Sequence, residues 1–361
     1  MLKRRNTKQL AKIVKSGLKQ RKIRKTNVEF LPSGSTMINL ALTGNRKWGW
    51  PRARVVNIVG DGSSGKTLLA LEAGFWFLKQ VKTIKSKIFP KVNNARVVYN
   101  NGEGVMDFPL EKMYGADFEK SVIWKRSKTI EACGRDYLEE CSKLEKGDAL
   151  LYIIDSWDSF KSIHDSKIRN EKDEDIIKGY NLKKQQFAWH FFAEACELLE
   201  DNKTDATLIV ISQTKQKIGV TFVGKKKYRT GGDALNFYTH LVPWIREIKK
   251  LTKTKLKETR PYGVHGEIKV ERSKVAIPFR SSEFMILFDY GLDDIGSMAL
   301  YLKARGKKNW KDIKLDNLHS FSKEVEKRRL KKKLSKYVES IWQGVEQAFQ
   351  DEVEERERKE L

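Results

Sequence analysis

The sequence predicts an α/β fold, a mainly parallel sheet covered by helices on both faces. Three observations lead there. Short continuous apolar runs alternate with longer amphipathic ones, the pattern of strands buried on both faces and separated by helices. The first of these runs ends in glycine and passes through a glycine-rich turn into an amphipathic stretch. The 361 residues, 40% hydrophobic and 33% charged, can bury one sizeable core with smaller appendages. No apolar run approaches the roughly 20 residues that span a bilayer, so no membrane partner is expected.

Taken in order, residues 54–59 form a β-branched run closed by Gly60, and residues 66–82 carry helical periodicity. Further strand-like runs lie at 95–100, 149–155, 206–212 and 241–248, with helical patterns at 129–145 and 180–201. After Pro261 come two more strand-like runs, 267–275 and 283–290; from Leu292 the pattern is helical and highly charged. The expected organisation is a basic N-terminal segment (1–30), a core (31–291) and a small, charged helical C-terminal region (292–361). In the first segment Leu10, Ile13, Val14 and Leu18 stand at helical spacing with lysines between, which predicts an N-terminal helix.

The charge points to a polyanion. With 72 Lys and Arg against 47 Asp and Glu, the formal net charge is +25, which attracts nucleic acid or an anionic surface. Residues 3–25 hold eleven Lys or Arg and no acid, residues 214–230 hold six and no acid, and residues 323–336 hold eight with two glutamates. Each stretch alone is accounted for as a solvated face or tail; three on one chain favour nucleic acid. Cys133, Cys141 and Cys196 are too few for a disulfide framework, and a reduced, cytoplasmic setting is expected. The five histidines are scattered without zinc-ligand spacing.

Gly60-Asp61-Gly62-Ser63-Ser64-Gly65-Lys66-Thr67 fits the G-x-x-x-x-G-K-[ST] phosphate-binding loop, with a strand before it and a helix after it. The glycines let the backbone curl so that N–H groups face phosphates, and the helix start adds its positive dipole end. Lys66 would reach the β- and γ-phosphates of ATP or GTP, and the Thr67 hydroxyl would ligate Mg²⁺. Such a loop also needs a carboxylate at the end of a neighbouring strand, and Asp155 ends the run Leu150-Leu151-Tyr152-Ile153-Ile154. Glu103 follows another strand at the end where such sheets bind ligands, where a group that orients water is needed.

Several further segments together resemble the bacterial RecA recombinases and, more distantly, phage recombinases of that group. Pro32-Ser33-Gly34-Ser35 through Leu40-Ala41-Leu42 leads into the loop with the family's spacing. Glu103-Gly104-Val105-Met106-Asp107 is similar to the segment that carries the family's catalytic glutamate and an adenine-contacting aspartate. Ile211-Ser212-Gln213, Lys217-Ile218-Gly219-Val220 and Thr230-Gly231-Gly232-Asp233-Ala234-Leu235-Asn236-Phe237-Tyr238 form the most specific match, followed by Arg272-Ser273-Lys274-Val275-Ala276-Ile277-Pro278-Phe279.

The resemblance implies a RecA-type core, ATP with Mg²⁺, and a DNA-dependent ATPase. It implies that the chain forms a helical filament on single-stranded DNA, pairs it with duplex DNA, and acts in recombination and repair. Glu103 would activate water, Asp107 would contact adenine, and Gln213 would sense the γ-phosphate. Arg272 and Lys274 would enter the neighbouring subunit's site. Residues 214–230 would line the filament axis and hold DNA, and their chemistry agrees. Lys215 and Lys217 suit phosphates, Gly219 gives flexibility, Ile218 suits a wedge between bases, and Phe222 or Tyr228 suits stacking. Lys225, Lys226, Lys227, Arg229, Gly231 and Gly232 complete the candidate DNA contacts. Where the family stacks a tyrosine on adenine this chain has Leu110, with Tyr114 one turn away. The alternatives are a hexameric helicase of the same superfamily and an accessory recombinase paralogue.

Overall fold

The computed structural model describes residues 28–104, 106, 108–163, 174–216, 227–229 and 232–354. The N-terminal helix expected within residues 1–30 therefore lies outside the described residues, as do Asp107, Lys217, Ile218, Gly219, Phe222, Lys225, Lys226 and Gly231.

The first half of the chain builds strands on the strength of local apolar runs. After β1 (Phe30–Leu31), α1 (Thr36–Thr43) and β2 (Trp50–Pro51) comes β3 (Val55–Gly60), every residue of which is buried. It is followed by α2 (Lys66–Gln80), β4 (Asn94–Asn101), the short helices α3 (Leu110–Tyr114) and α4 (Ala116–Ser121), β5 (Val122–Lys125), α5 (Ile130–Ser142) and β6 (Asp148–Asp155). The Thr129 side chain caps α5 by accepting from the Ala132 amide across 3.2 Å, which stabilises the first turn by about 1 kcal/mol. The long helix α6 (Glu174–Leu199) begins six residues before the sequence pattern placed it.

The remaining elements are β7 (Ala206–Gln216), β8 (Lys227–Arg229), α7 (Gly232–Tyr238), β9 (Leu241–Lys255), β10 (Glu258–Ser273), β11 (Ser281–Leu287) and β12 (Gly291–Leu292). The C-terminal region adds α8 (Asp294–Ala304), β13 (Asn309–Trp310), β14 (Ile313–Lys314), α9 (Leu318–Lys327) and α10 (Lys331–Glu354). Among the described residues the central sheet has ten strands, in the order β12-β11-β10-β9-β3-β7-β6-β4-β5, with β8 paired to β7. From β9 to β5 the pairings along that order are parallel; from β9 to β12 they are antiparallel.

Both faces are covered, as expected. Along β6, Leu151 and Ile153 join Leu68, Leu69 and Phe77 of α2 on one face. Leu150, Tyr152 and Ile154 join Tyr137 of α5 and Phe191 and Phe192 of α6 on the other. Each fully buried side chain of this size contributes roughly 1.5–3 kcal/mol, so the alternation along one strand holds both helical layers. A third core joins Met37 and Leu40 of α1 to Met298, Phe321, Leu334 and Val338 of α8, α9 and α10. Arg280 adds a two-point ion pair to Glu346 of α10 at 2.8 and 2.7 Å.

Strands β9 and β10 run well past their expected ends. They form a hairpin turning at Leu256 and Lys257, both with positive φ, and Leu256 is 98% exposed. The outer half follows no burial pattern and is held by the ladder from Gly263↔Leu251 to Glu258↔Lys255.

Candidate phosphate-binding site

The loop at residues 60–67 links the end of β3 to the start of α2. Gly65 has φ +93°, a left-handed conformation that costs glycine nothing, and a Cβ there would sit 2.6 Å from Ile286 Cδ1. A Cβ at Gly60 would collide with the Ile245 carbonyl, whereas one at Gly62 would meet nothing within 4 Å. The loop is thus packed at both ends and open at Gly62. The free amides at the α2 N-terminus and its dipole favour an anion there.

Gly62, Ser63, Ser64, Gly65, Lys66, Thr67, Glu103, Asp155 and Gln213 line one cavity of about 560 Å³. Lys66 Nζ donates to the Asp61 carbonyl oxygen. Burial pushes the Lys66 ammonium below its ordinary pKa, while Asp155, Glu103 and Asp61 pull it back up. Thr67 Oγ1 donates to Asp155 Oδ2 across 2.8 Å, and the Tyr99 hydroxyl donates to the same oxygen. Burial raises the Asp155 carboxyl above the usual range, and these two donors lower it in part. The donor set suits a nucleoside polyphosphate with a hard divalent cation. Lys66 and the loop amides would meet anionic oxygens, and Thr67 with Asp155 offers oxygen ligands side by side.

Glu103 stands just past β4 and is held by its surroundings. Its amide and that of Gly104 both donate to Asn101 Oδ1 at 2.9 Å. Its Oε1 accepts from Gln213 Nε2 at 2.8 Å and from Ser156 Oγ at 3.0 Å. Gln213, on β7, also donates its backbone N–H to Asp158 at 2.9 Å. A carboxylate fixed by two donors beside a phosphate cradle has the placement of a water-orienting base.

The cavity has an apolar wall that sequence reasoning missed. Phe108, Pro109, Met113, Ile286, Leu287 and Phe288 supply it. Phe108 is 39% and Phe288 50% exposed, so both offer apolar surface on which a flat heterocycle can stack. The available signal was slight: Phe108 directly follows the segment 103–107, and Phe288 lies within the strand-like run 283–290. Leu110 is instead buried in the core. Tyr114 packs against Phe75 and Phe118, with ring centroids 5.0 and 5.1 Å away, and does not line the cavity.

The remaining expected residues lie elsewhere. Arg272 pairs with Val242 and Ser273 with Leu241, level with Val56 on β3. That is four residues before Gly60, roughly 13 Å along the strand at ~3.3 Å per residue. Lys274 Nζ donates to the Phe237 carbonyl at 2.6 Å. Neither residue reaches the cavity of its own chain. Lys215, Lys227 and Arg229 belong to β7 and β8, whose antiparallel pairing brackets residues 217–226, and Gly232 opens α7 with φ +78°. Among the described residues no helix is long and apolar enough to cross a membrane.

Comparison with known proteins agrees with this geometry. A family model described as the RecA N-terminal domain matches residues 193–293. Protein RecA of Gloeothece citriformis (strain PCC 7424) is 30% identical over 276 residues, covering 75% of this chain and 67% of that protein. Protein RecA of Nostoc punctiforme is 30% identical over 298 residues, covering 81% and 73%. Protein RecA of Prochlorococcus marinus (strain MIT 9303) is 29% identical over 298 residues, covering 81% and 69%. With a phosphate-binding loop, an adjacent carboxylate pair and relatives over most of its length, the chain belongs to the RecA family.

Proposed function

We propose that this chain is an ATP-dependent DNA recombinase that assembles as a helical filament on single-stranded DNA and promotes homologous pairing and strand exchange with duplex DNA. The observation that carries the reading is the 2.8 Å bond from Gln213 to Glu103. It ties a water-orienting carboxylate to the strand that leads directly into a basic loop. Hydrolysis and DNA binding then share one side chain.

Lys66 and the loop amides would hold the phosphates of ATP, and Thr67 with Asp155 would hold Mg²⁺, which when bound would supply neutralisation of phosphate charge. Glu103 orients the attacking water and accepts its proton, with Ser156 and Gln213 fixing the carboxylate. Arg272 and Lys274, far from their own cavity, serve the site of an adjacent copy. The basic residues of 214–230 neutralise the DNA backbone, so binding weakens as salt displaces them.

The test is ATP hydrolysis with and without single-stranded DNA across a range of salt. Strong stimulation that fades with salt is expected, and a strand-exchange assay is then the next measurement. Absent stimulation leaves an ATP site and turns the reading to an accessory paralogue or a hexameric helicase.

A further inference from the structure

A carboxylate in the second position of a phosphate-binding loop opposes the charge the loop is built to hold. Asp61 resolves this by pointing its charge elsewhere: Thr214 Oγ1 donates to Asp61 Oδ1. The main chain of the same residue is also engaged. Its carbonyl oxygen accepts from Lys66 Nζ and, across 2.8 Å, from Ser64 Oγ. Thr214 follows Gln213 on β7 and pairs with Arg229 of β8, so it sits on the arms that bracket the basic loop. A cavity of about 170 Å³ lined by Gly60, Asp61, Thr214, Trp244 and Arg246 lies beside the contact, leaving room for it to move.

We infer that Asp61 and Thr214 form a second relay between the phosphate-binding loop and the basic loop, acting alongside Glu103 and Gln213. The inference rests on the DNA-stimulated ATPase reading and names a regulation of that site. Its physical basis is competition for Lys66. The Lys66 ammonium bonds more strongly to a charged phosphate oxygen than to a neutral carbonyl, because opposite charges attract at short range. When Lys66 turns to phosphate, the Asp61 carbonyl loses a cationic donor, and the peptide that carries the Thr214 contact re-equilibrates. Asp61 and Thr214 are positioning residues: they fix the C-terminal part of β7, the strand that leads into the basic loop. By linkage, DNA that fixes the loop returns the same coupling to the phosphate site.

The experiment compares the full-length chain with Thr214→Val and Thr214→Ser, and reads two quantities. The first is amide hydrogen exchange of the peptide spanning residues 213–216, with and without the magnesium complex of a slowly hydrolysed ATP analogue. The second is the ratio of hydrolysis rates with and without single-stranded oligodeoxythymidine. In the wild-type chain the analogue is expected to change exchange at 213–216. Thr214→Val should abolish that response and cut the stimulation ratio at least about fivefold, the lower end of typical site-to-site coupling. Thr214→Ser, which keeps the hydroxyl, should retain both. Asp61→Ala should reproduce the loss, and adding Thr214→Val to it should change nothing further. A Thr214→Val chain that keeps the nucleotide response overturns the relay, as does a wild-type chain whose exchange ignores the analogue. If DNA fails to stimulate the wild-type chain, the recombinase reading falls, while the exchange arm still decides whether Asp61 and Thr214 carry the nucleotide signal.

Discussion

Gln213 Nε2 donates to Glu103 Oε1 across 2.8 Å, joining two residues 110 positions apart in the chain. The same oxygen accepts from Ser156 Oγ, and Ser156 follows the carboxylate Asp155 that accepts from Thr67. Strands β4, β6 and β7 are neighbours in the sheet, so three consecutive C-terminal strand ends bring these groups together. One carboxylate thus sees both the phosphate loop and the strand that leaves toward the basic loop.

Glu103→Gln should remove the proton acceptor while preserving shape. Hydrolysis is expected to fall by roughly 10²–10⁴-fold, the usual worth of a positioned base. Binding of ATP, followed with a fluorescent analogue, should change little. Retained turnover would take the water-orienting role away from Glu103.

Replacing Arg272 and Lys274 together with alanine should abolish turnover, by about 10³-fold or more if they act as charge-stabilising fingers. Nucleotide binding by the isolated chain should survive, because neither side chain lines its own cavity. Mixing the double variant with a Lys66→Ala chain should restore part of the turnover, since each copy then supplies what the other lacks. No recovery in the mixture would argue against action across an interface.

Phe288→Ala should strip one aromatic wall from the cavity. The KM for ATP is expected to rise about fivefold, in line with ~1 kcal/mol for an aromatic contact, with kcat within about twofold. Phe288→Tyr should keep the wild-type KM. Steady-state kinetics with saturating Mg²⁺ separate the two parameters.

His240 gives a pH dependence of stability. Burial first, then the charges of Arg54 and Lys274, lowers its pKa to about 3, and its Nδ1 accepts from the Val55 amide at 3.2 Å. In the unfolded chain the ring titrates near 6.5. As pH falls through 6.5 the unfolded chain takes up a proton that the folded chain refuses until near 3. Stability present above pH 6.5 is therefore lost on acidification, by about 2 kcal/mol at pH 5. Urea melts at pH 7 and pH 5 should show this loss, and His240→Gln should flatten it. An unchanged slope in the variant would mean that other groups set the acid sensitivity.

The core strands and the phosphate loop were legible because their signals are local. A buried parallel strand must be apolar on both faces, so the runs ending at Gly60 and Asp155 announce themselves within eight residues. The loop needs glycines, a lysine and a hydroxyl in sequence, and these appear together at residues 60–67. Glu103 became a candidate from its place after a strand and Gln213 through resemblance, and each stands at its own strand end. The outer hairpin at 251–263 was not legible, because a ladder in solvent imposes no alternation and its turn residues Leu256 and Lys257 are poor hairpin signals. Phe108 carries no signal of its own and Phe288 lies within the strand-like run 283–290; the tertiary structure brings both to one cavity.

By itself, then, the sequence determined the strand-and-helix alternation, the phosphate cradle and the basic character of the loop after Gln213, since each is encoded by neighbours in the chain. Only the tertiary structure decided the Glu103–Gln213 bond, the Asp61–Thr214 contact and the distance of Arg272 from its own site. Those depend on strand order and register, in which β3 lies between β7 and β9. That order follows from how the apolar faces of the whole chain pack together, a sum over contacts that no short window of residues contains.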